Sequence, residues 1–141
     1  FMIGDGELKE HIEKKAERIG IRDHIIFTGN IDNVAEVLQA MDGMVLPSLF
    51  EGLPLVMIEW QILGLPCVIS DVITKECICT EQVQTCSLHN GPDIWAKKIL
   101  KLIEVTNRKE AIHTSVEQIK KAGFDIQEGI EKLKTLYLAV D

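Results

Sequence analysis

Short apolar runs alternate with amphipathic stretches along this chain. Residues 1–3 read as a buried strand entering a tight turn at Gly4-Asp5-Gly6. Residues 7–19 place Leu8, Ile12, Ala16 and Ile19 at helical spacing, with Gly20 as the stop. A second strand is predicted over 25–28. Asp32 is expected to cap a helix carrying Val34, Val37, Leu38 and Met41. Residues 44–46 predict a third strand, closed by Pro47. The loop 48–53 then enters a helix with Pro54 in its first turn, where a missing N–H costs nothing. Gly64 ends that helix and Pro66 prevents its continuation. A fourth strand is predicted over 67–70 and a weaker fifth over 83–88. Pro92 and Asp93 open a helix to Ile103 with Ile94, Trp95, Ile99, Leu102 and Ile103 inward. A polar helix over 107–121 follows, and Asp125 caps a last one expected to end near Val140.

Strand and helix in strict alternation predict the α/β class, a Rossmann-like doubly wound parallel sheet with helices on both faces. In such sheets ligands bind at the carboxyl ends of the strands, where helix N-termini also point. The loops after Ile3, Thr28, Leu46 and Ser70 are therefore the places to search.

Composition narrows the function classes. The chain has 141 residues, which suits a single domain over 1–141 with closing helices over 107–141. Its hydrophobic fraction of 46% is enough to build a core rather than a disordered tail. Fifteen basic against 22 acidic residues leave a net charge of −7, which argues against a nucleic-acid partner and against docking to an anionic membrane. No apolar run approaches the ~20 residues of a membrane span, and no leader is visible, so a cytoplasmic location is expected. The opening on an apolar strand suggests a piece of a longer protein.

The stretch from Pro47 to Glu59 carries the most chemistry. Gly52 permits a tight or positive-φ backbone and close approach of a ligand. The amides of Leu53, Leu55 and Val56 at the helix start would face an anion, and the helix dipole would help to hold it against the negative net charge. Glu59 stands in a helix that is apolar almost all round, which predicts burial and therefore a partner for its carboxylate. It lies about 7–8 Å along the axis from the helix start. That is roughly the span from a diphosphate to the ribose of the same nucleotide, and a carboxylate can accept two hydrogen bonds from a cis-diol. A structural ion pair with a buried Arg or Lys is the competing explanation of Glu59.

Glu51-Gly52-Leu53-Pro54 followed by Glu59, just after a strand ending in Leu46-Pro47-Ser48, resembles the signature of retaining GT-B glycosyltransferases of family 4. Gly4-Asp5-Gly6, Phe27-Thr28-Gly29, Ala40-Met41-Asp42, and Gly64-Leu65-Pro66 with Ser70-Asp71 fall in the same order and spacing. The resemblance covers about residues 1–105 and implies the C-terminal, sugar-nucleotide-binding half of such an enzyme. It implies Glu51 on hydroxyls of the donor sugar, in the catalytic position. It implies the amides around Gly52, Leu53 and Leu55 on the diphosphate, Glu59 on the ribose, and the Gly29-Asn30 turn near the base. The donor would be a UDP- or GDP-sugar, transferred with retention, with no cofactor and no obligatory metal. It further implies an acceptor domain and a first strand–helix unit bearing an Arg and a Lys, both absent here. The isolated chain is then expected to be inactive, and to dimerise through an uncovered sheet edge. The region around Thr74-Lys75-Glu76 resembles enzymes of bacterial exopolysaccharide or capsule synthesis. A GT-B nucleotide-sugar epimerase and a non-catalytic Rossmann-like binding module are the competing functions.

Other signals carry less. Gly4-Asp5-Gly6 lacks the third glycine of a dinucleotide fingerprint, because position 9 is Lys9. Cys77, Cys79, Cys86 and His89 do not have zinc spacing, and the cysteines are read as small buried apolar residues. Trp60 and Trp95 are read as packing residues.

Overall fold

A computed structural model describes residues 1–139; Val140, where the last helix was expected to end, lies outside the described residues. The chain divides into two compact units, Phe1–Val37 and Leu38 onward, and each is described by itself. Among the described residues no helix is long and apolar enough to cross a membrane.

In the first unit, β1 (Met2–Ile3) runs parallel to β2 (Phe27–Gly29), with α1 (Lys9–Arg18) between them. Gly20, at φ +73, stops α1: its amide bonds Glu17 and the next amide, of Ile21, reaches Ala16. A short 3-10 turn over Arg22–His24 precedes the strand, and Ile25 and Ile26 link the two, so β2 starts at Phe27 rather than at 25. The strand at the chain start is not buried: Phe1 and Met2 are exposed. Only Ala16 of the apolar stripe on α1 is fully buried, while Leu8 and Ile19 are exposed, since a two-stranded ladder covers only the middle of a helix. Asn33, not Asp32, stands immediately before α2 (Val34–Gln39), and its carbonyl accepts from Glu36 and Val37.

The second unit holds a three-stranded parallel sheet in the order β3 (Met44–Leu46), β4 (Cys67–Ser70), β5 (Val83–Cys86). The expected parallel pairing is thus present, in two separate ladders. Strand β4 is central and buried at all four positions. Val68 packs with Cys86, Trp95 and Leu102 under α4 (Pro92–Val105). Strand alternation sends Cys67 and Ile69 to the opposite face, where both are also fully buried. The sheet is therefore covered on both sides, as a doubly wound layer requires. Ile94, expected inward on α4, is exposed, one position off the buried stripe of Trp95 and Leu102.

Helix α3 (Leu55–Ile62) packs on α5 (Arg108–Lys121), and α6 (Ile126–Leu138) closes the chain. Asn107 and Asp125 cap α5 and α6 through their side chains. Helix α3 ends in a Schellman motif: the Gly64 amide bonds Gln61 and the Leu65 amide bonds Trp60. Gly64 sits at φ +62, and a Cβ there would lie 2.9 Å from the Arg108 carbonyl oxygen. Gly64→Ala is therefore expected to cost about 2 kcal/mol, from the left-handed backbone and the contact together. Urea unfolding checks this, and a loss below about 0.5 kcal/mol would show that the α3–α5 junction relaxes freely.

Candidate functional site

Strand β3 ends at Leu46, and the chain turns through Pro47 and a loop into α3 at Leu55. Glu51, Gly52, Leu53, Leu55 and Glu59 thus lie on one continuous loop and helix at the carboxyl end of a strand of a parallel sheet. Gly29 and Asn30 belong to the first unit, at the carboxyl end of β2, where Gly29 takes a left-handed φ of +64. A Cβ on Gly29 would meet the Lys9 Nζ at 3.6 Å.

The loop is tied down. Ser70, the last residue of β4 and fully buried, donates its hydroxyl to the Ser48 carbonyl at 2.7 Å. The Ser48 hydroxyl in turn donates to Glu51 Oε1 at 2.8 Å. Glu51 is half-buried. Gly52 does not have a positive φ, contrary to one option its glycine left open; its side-chain direction faces open space, which leaves the backbone approachable.

Pro54 occupies the N-cap position of α3 with φ −73 and ψ 97, and no side chain caps the helix. The Met57 amide bonds the Pro54 carbonyl at 3.0 Å. The amides of Leu55 and Val56 precede that first bond and have no acceptor within the helix. The positive end of the helix dipole is directed the same way.

Glu59 is not buried, as its apolar helix had suggested; it is exposed. At 100° per residue, Met57, Ile58, Trp60 and Gln61 form the buried arc of α3. Leu55, Val56 and Ile62 are 63%, 42% and 39% exposed, and Glu59 stands in the middle of that opposite arc. An apolar helix is therefore covered on one side only, and its uncovered side presents a carboxylate among aliphatic groups. Glu59 forms no ion pair among the described residues, so the structural-pair explanation finds no partner there.

An open cavity of 390 Å³ lies against this arc, lined in part by Leu55, Ile58, Glu59, Phe124 and Asp125. Asp125 is already engaged. The Lys120 ammonium, 2.9 Å away, and the amides of Gln127 and Glu128 hold its carboxyl below the usual carboxylate range. Glu59 is the carboxylate in this cavity that remains open to a ligand hydroxyl.

Sequence reasoning passed over Gln61, which is fully buried on α3 and binds the segment after β4. Its Nε2 donates to Met57 O at 2.8 Å and Cys77 O at 2.7 Å. Its Oε1 accepts from the Cys79 and Thr80 amides at 2.8 and 3.0 Å and from the Thr80 hydroxyl at 3.2 Å. Cys77 and Cys86 are buried as small apolar residues, and burial pushes the thiols of Cys67, Cys77 and Cys79 above the ordinary cysteine range. Trp60 and Trp95 are buried, with Trp95 Nε1 donating to the Ser87 carbonyl, so both serve packing.

Residues 1–105 match the family described as glycosyl transferases group 1. The chain is 33% identical over 138 residues to the putative glycosyltransferase EpsF of Bacillus subtilis strain 168, covering 96% of this chain and 35% of that protein. It is 30% identical over 141 residues to the UDP-Gal:alpha-D-GlcNAc-diphosphoundecaprenol alpha-1,3-galactosyltransferase of Escherichia coli, covering 97% of this chain and 36% of that protein. Its fold matches the crystal structure of WaaG, a glycosyltransferase involved in lipopolysaccharide biosynthesis, with a TM-score of 0.62 and 17% identity over 88% of this chain and 33% of WaaG. The chain thus spans about a third of the length of the curated relatives it matches. On this family match and this GT-B fold, the chain belongs to the group 1 glycosyltransferases.

Proposed function

We propose that this chain binds the sugar-nucleotide donor, a UDP- or GDP-sugar, for a retaining glycosyltransferase of polysaccharide synthesis. The observation that carries the reading is the disposition of two glutamates about an uncapped helix start. Glu51 lies before the free amides of α3, and Glu59 lies on its open arc beyond them. A diphosphate at the amides would meet donors and a favourable dipole. The ribose would then lie along α3 with its cis-diol on Glu59, and the sugar would lie beside Glu51.

Transfer would break the bond between the sugar's anomeric carbon and the diphosphate oxygen. The acceptor oxygen would bond to that carbon from the same face, and its proton would pass to the departing phosphate. No enzyme nucleophile, cofactor or obligatory metal enters this scheme. The chain's contribution is to position the donor and to stabilise the leaving diphosphate. The acceptor site is assigned to the part of the relatives' length that this chain does not span, so the isolated chain binds donor without transferring it. The setting proposed is the cytoplasm.

Glu59→Ala tests the ribose assignment. Losing two hydrogen bonds to a charged acceptor is expected to weaken nucleoside diphosphate binding by roughly 10- to 30-fold, or about 1.5–2 kcal/mol. Calorimetry with UDP, GDP and ADP reads this directly. An unchanged affinity would remove Glu59 from the site, and failure of all three nucleotides to bind would sink the donor reading.

A further inference from the structure

We infer that Ser48 is a positioning residue for Glu51, and that Ser70 anchors Ser48 in turn; the inference rests on the donor reading above. Three observations meet at this point. The Ser48 hydroxyl donates to Glu51 Oε1 at 2.8 Å. The Ser48 carbonyl accepts from Ser70 Oγ at 2.7 Å. Ser70 is fully buried at the end of the central strand, in register with Cys86 of β5. The relay therefore runs from the fully buried central strand to a carboxylate on an otherwise exposed loop, where Leu49 and Phe50 are open to solvent.

The physical consequence is preorganisation. A glutamate side chain free on a loop must give up rotamer freedom when a ligand binds it. Here the bond from Ser48 closes a ring across three residues and fixes Oε1 beforehand. Oε2 and the remaining lone pairs of Oε1 stay available, and an ionised carboxylate only accepts. The group it selects is therefore a hydroxyl donor held at one position, as on the transferred sugar. Ser48 touches no substrate in this arrangement and acts through Glu51 alone.

The test compares the affinity for each nucleoside diphosphate with that for its sugar conjugates, using UDP, UDP-glucose, UDP-galactose, GDP and GDP-mannose with the complete chain. For the pair that the chain prefers, the ratio of conjugate to bare nucleotide affinity measures the sugar contact. Ser48→Ala is expected to lower that ratio by up to about tenfold, the cost of ordering one freed glutamate side chain on binding. Bare nucleotide affinity and the unliganded melting midpoint should stay where they are. Ser48→Thr keeps the hydroxyl and should hold the ratio within about threefold of the parent. Ser70→Ala should lower it too, by releasing the loop.

A ratio unchanged in Ser48→Ala while Glu51→Ala lowers it overturns the positioning role and leaves the donor reading standing. Equal losses for bare nucleotide and conjugate also overturn it, because they mark general collapse of the loop. A ratio unchanged in both variants removes Glu51 from the sugar site, and the role of Ser48 falls with it. Absence of nucleotide binding to the parent chain would instead reject the donor reading on which the inference stands.

Discussion

Replacing Gln61 by leucine is expected to lower the unfolding free energy by about 3–4 kcal/mol, although the substitution keeps volume and adds apolar surface. Gln61 is fully buried and uses both ends of its amide. Leucine leaves the Cys77 carbonyl and the amides of Cys79 and Thr80 without that partner. The Met57 carbonyl keeps its bond within the helix, so it is not among the losses. Each orphaned buried group costs roughly 1–3 kcal/mol, and the half-exposure of Cys79 brings the sum below the maximum. Gln61→Glu should fare no better, because a carboxylate keeps the acceptor but points a second oxygen at the Cys77 carbonyl. Urea unfolding with an unchanged slope reads the loss. Amide exchange should quicken first at Cys79 and Thr80, whose protection depends on the Gln61 oxygen. A loss under about 1 kcal/mol would mean that water replaces the glutamine without penalty.

This residue also shows where the sequence could and could not be read. The rule that a polar group in an apolar helix needs a partner is sound, but periodicity alone applied it to Glu59. The structure satisfies it at Gln61, two positions later and on the buried arc. Helix α3 is apolar on nearly every side, so its own pattern does not reveal which side the fold covers. Strands β3 and β4, bounded by punctuation residues, were readable to the residue. Strand β3 lies between Gly43 and Pro47, β4 follows Pro66, and Gly20 and Gly64 stop their helices as expected. Asn107 and Asp125 cap where their side chains predict. Strand β2 starts two residues later than expected, because Ile25 and Ile26 have a strand's apolar signature but serve as the link from the 3-10 turn over Arg22–His24.

The loop and helix from Ser48 to Glu59 were found from spacing because their elements are contiguous in the chain. The Ser48 hydroxyl bond is local as well, spanning three residues of the same loop. The Ser70 anchor is not, because it spans 22 residues and depends on the alignment of two neighbouring strands.

Arg108 is the most distant case, and its replacement by methionine is expected to cost about 3 kcal/mol. Its Nε donates to the Leu63 carbonyl at 3.0 Å, at the C-terminus of α3. Its Nη1 donates to Gln39 and Met41 carbonyls at 3.1 and 2.7 Å, and Nη2 to Leu38 at 3.3 Å, at the C-terminus of α2. One guanidinium thus bonds carbonyls at the ends of two helices, among them the Leu38 carbonyl that the Met41 amide also bonds, and places its positive charge at two negative dipole ends. Methionine keeps much of the aliphatic stem and loses all four bonds, which separates the charge and donor contribution from packing. Partial hydration of the side chain keeps the cost below the sum of four charged bonds. Arg108→Lys should recover less than half, because a single ammonium cannot span carbonyls on both helices. Recovery of full stability by lysine would show that charge alone suffices, and a methionine variant within about 1 kcal/mol of the parent would show that the two helix ends are capped by water instead. The partners lie 45 to 70 residues before Arg108 in the chain, so only the folded backbone brings them together, and with them the end of the helix that carries Glu59.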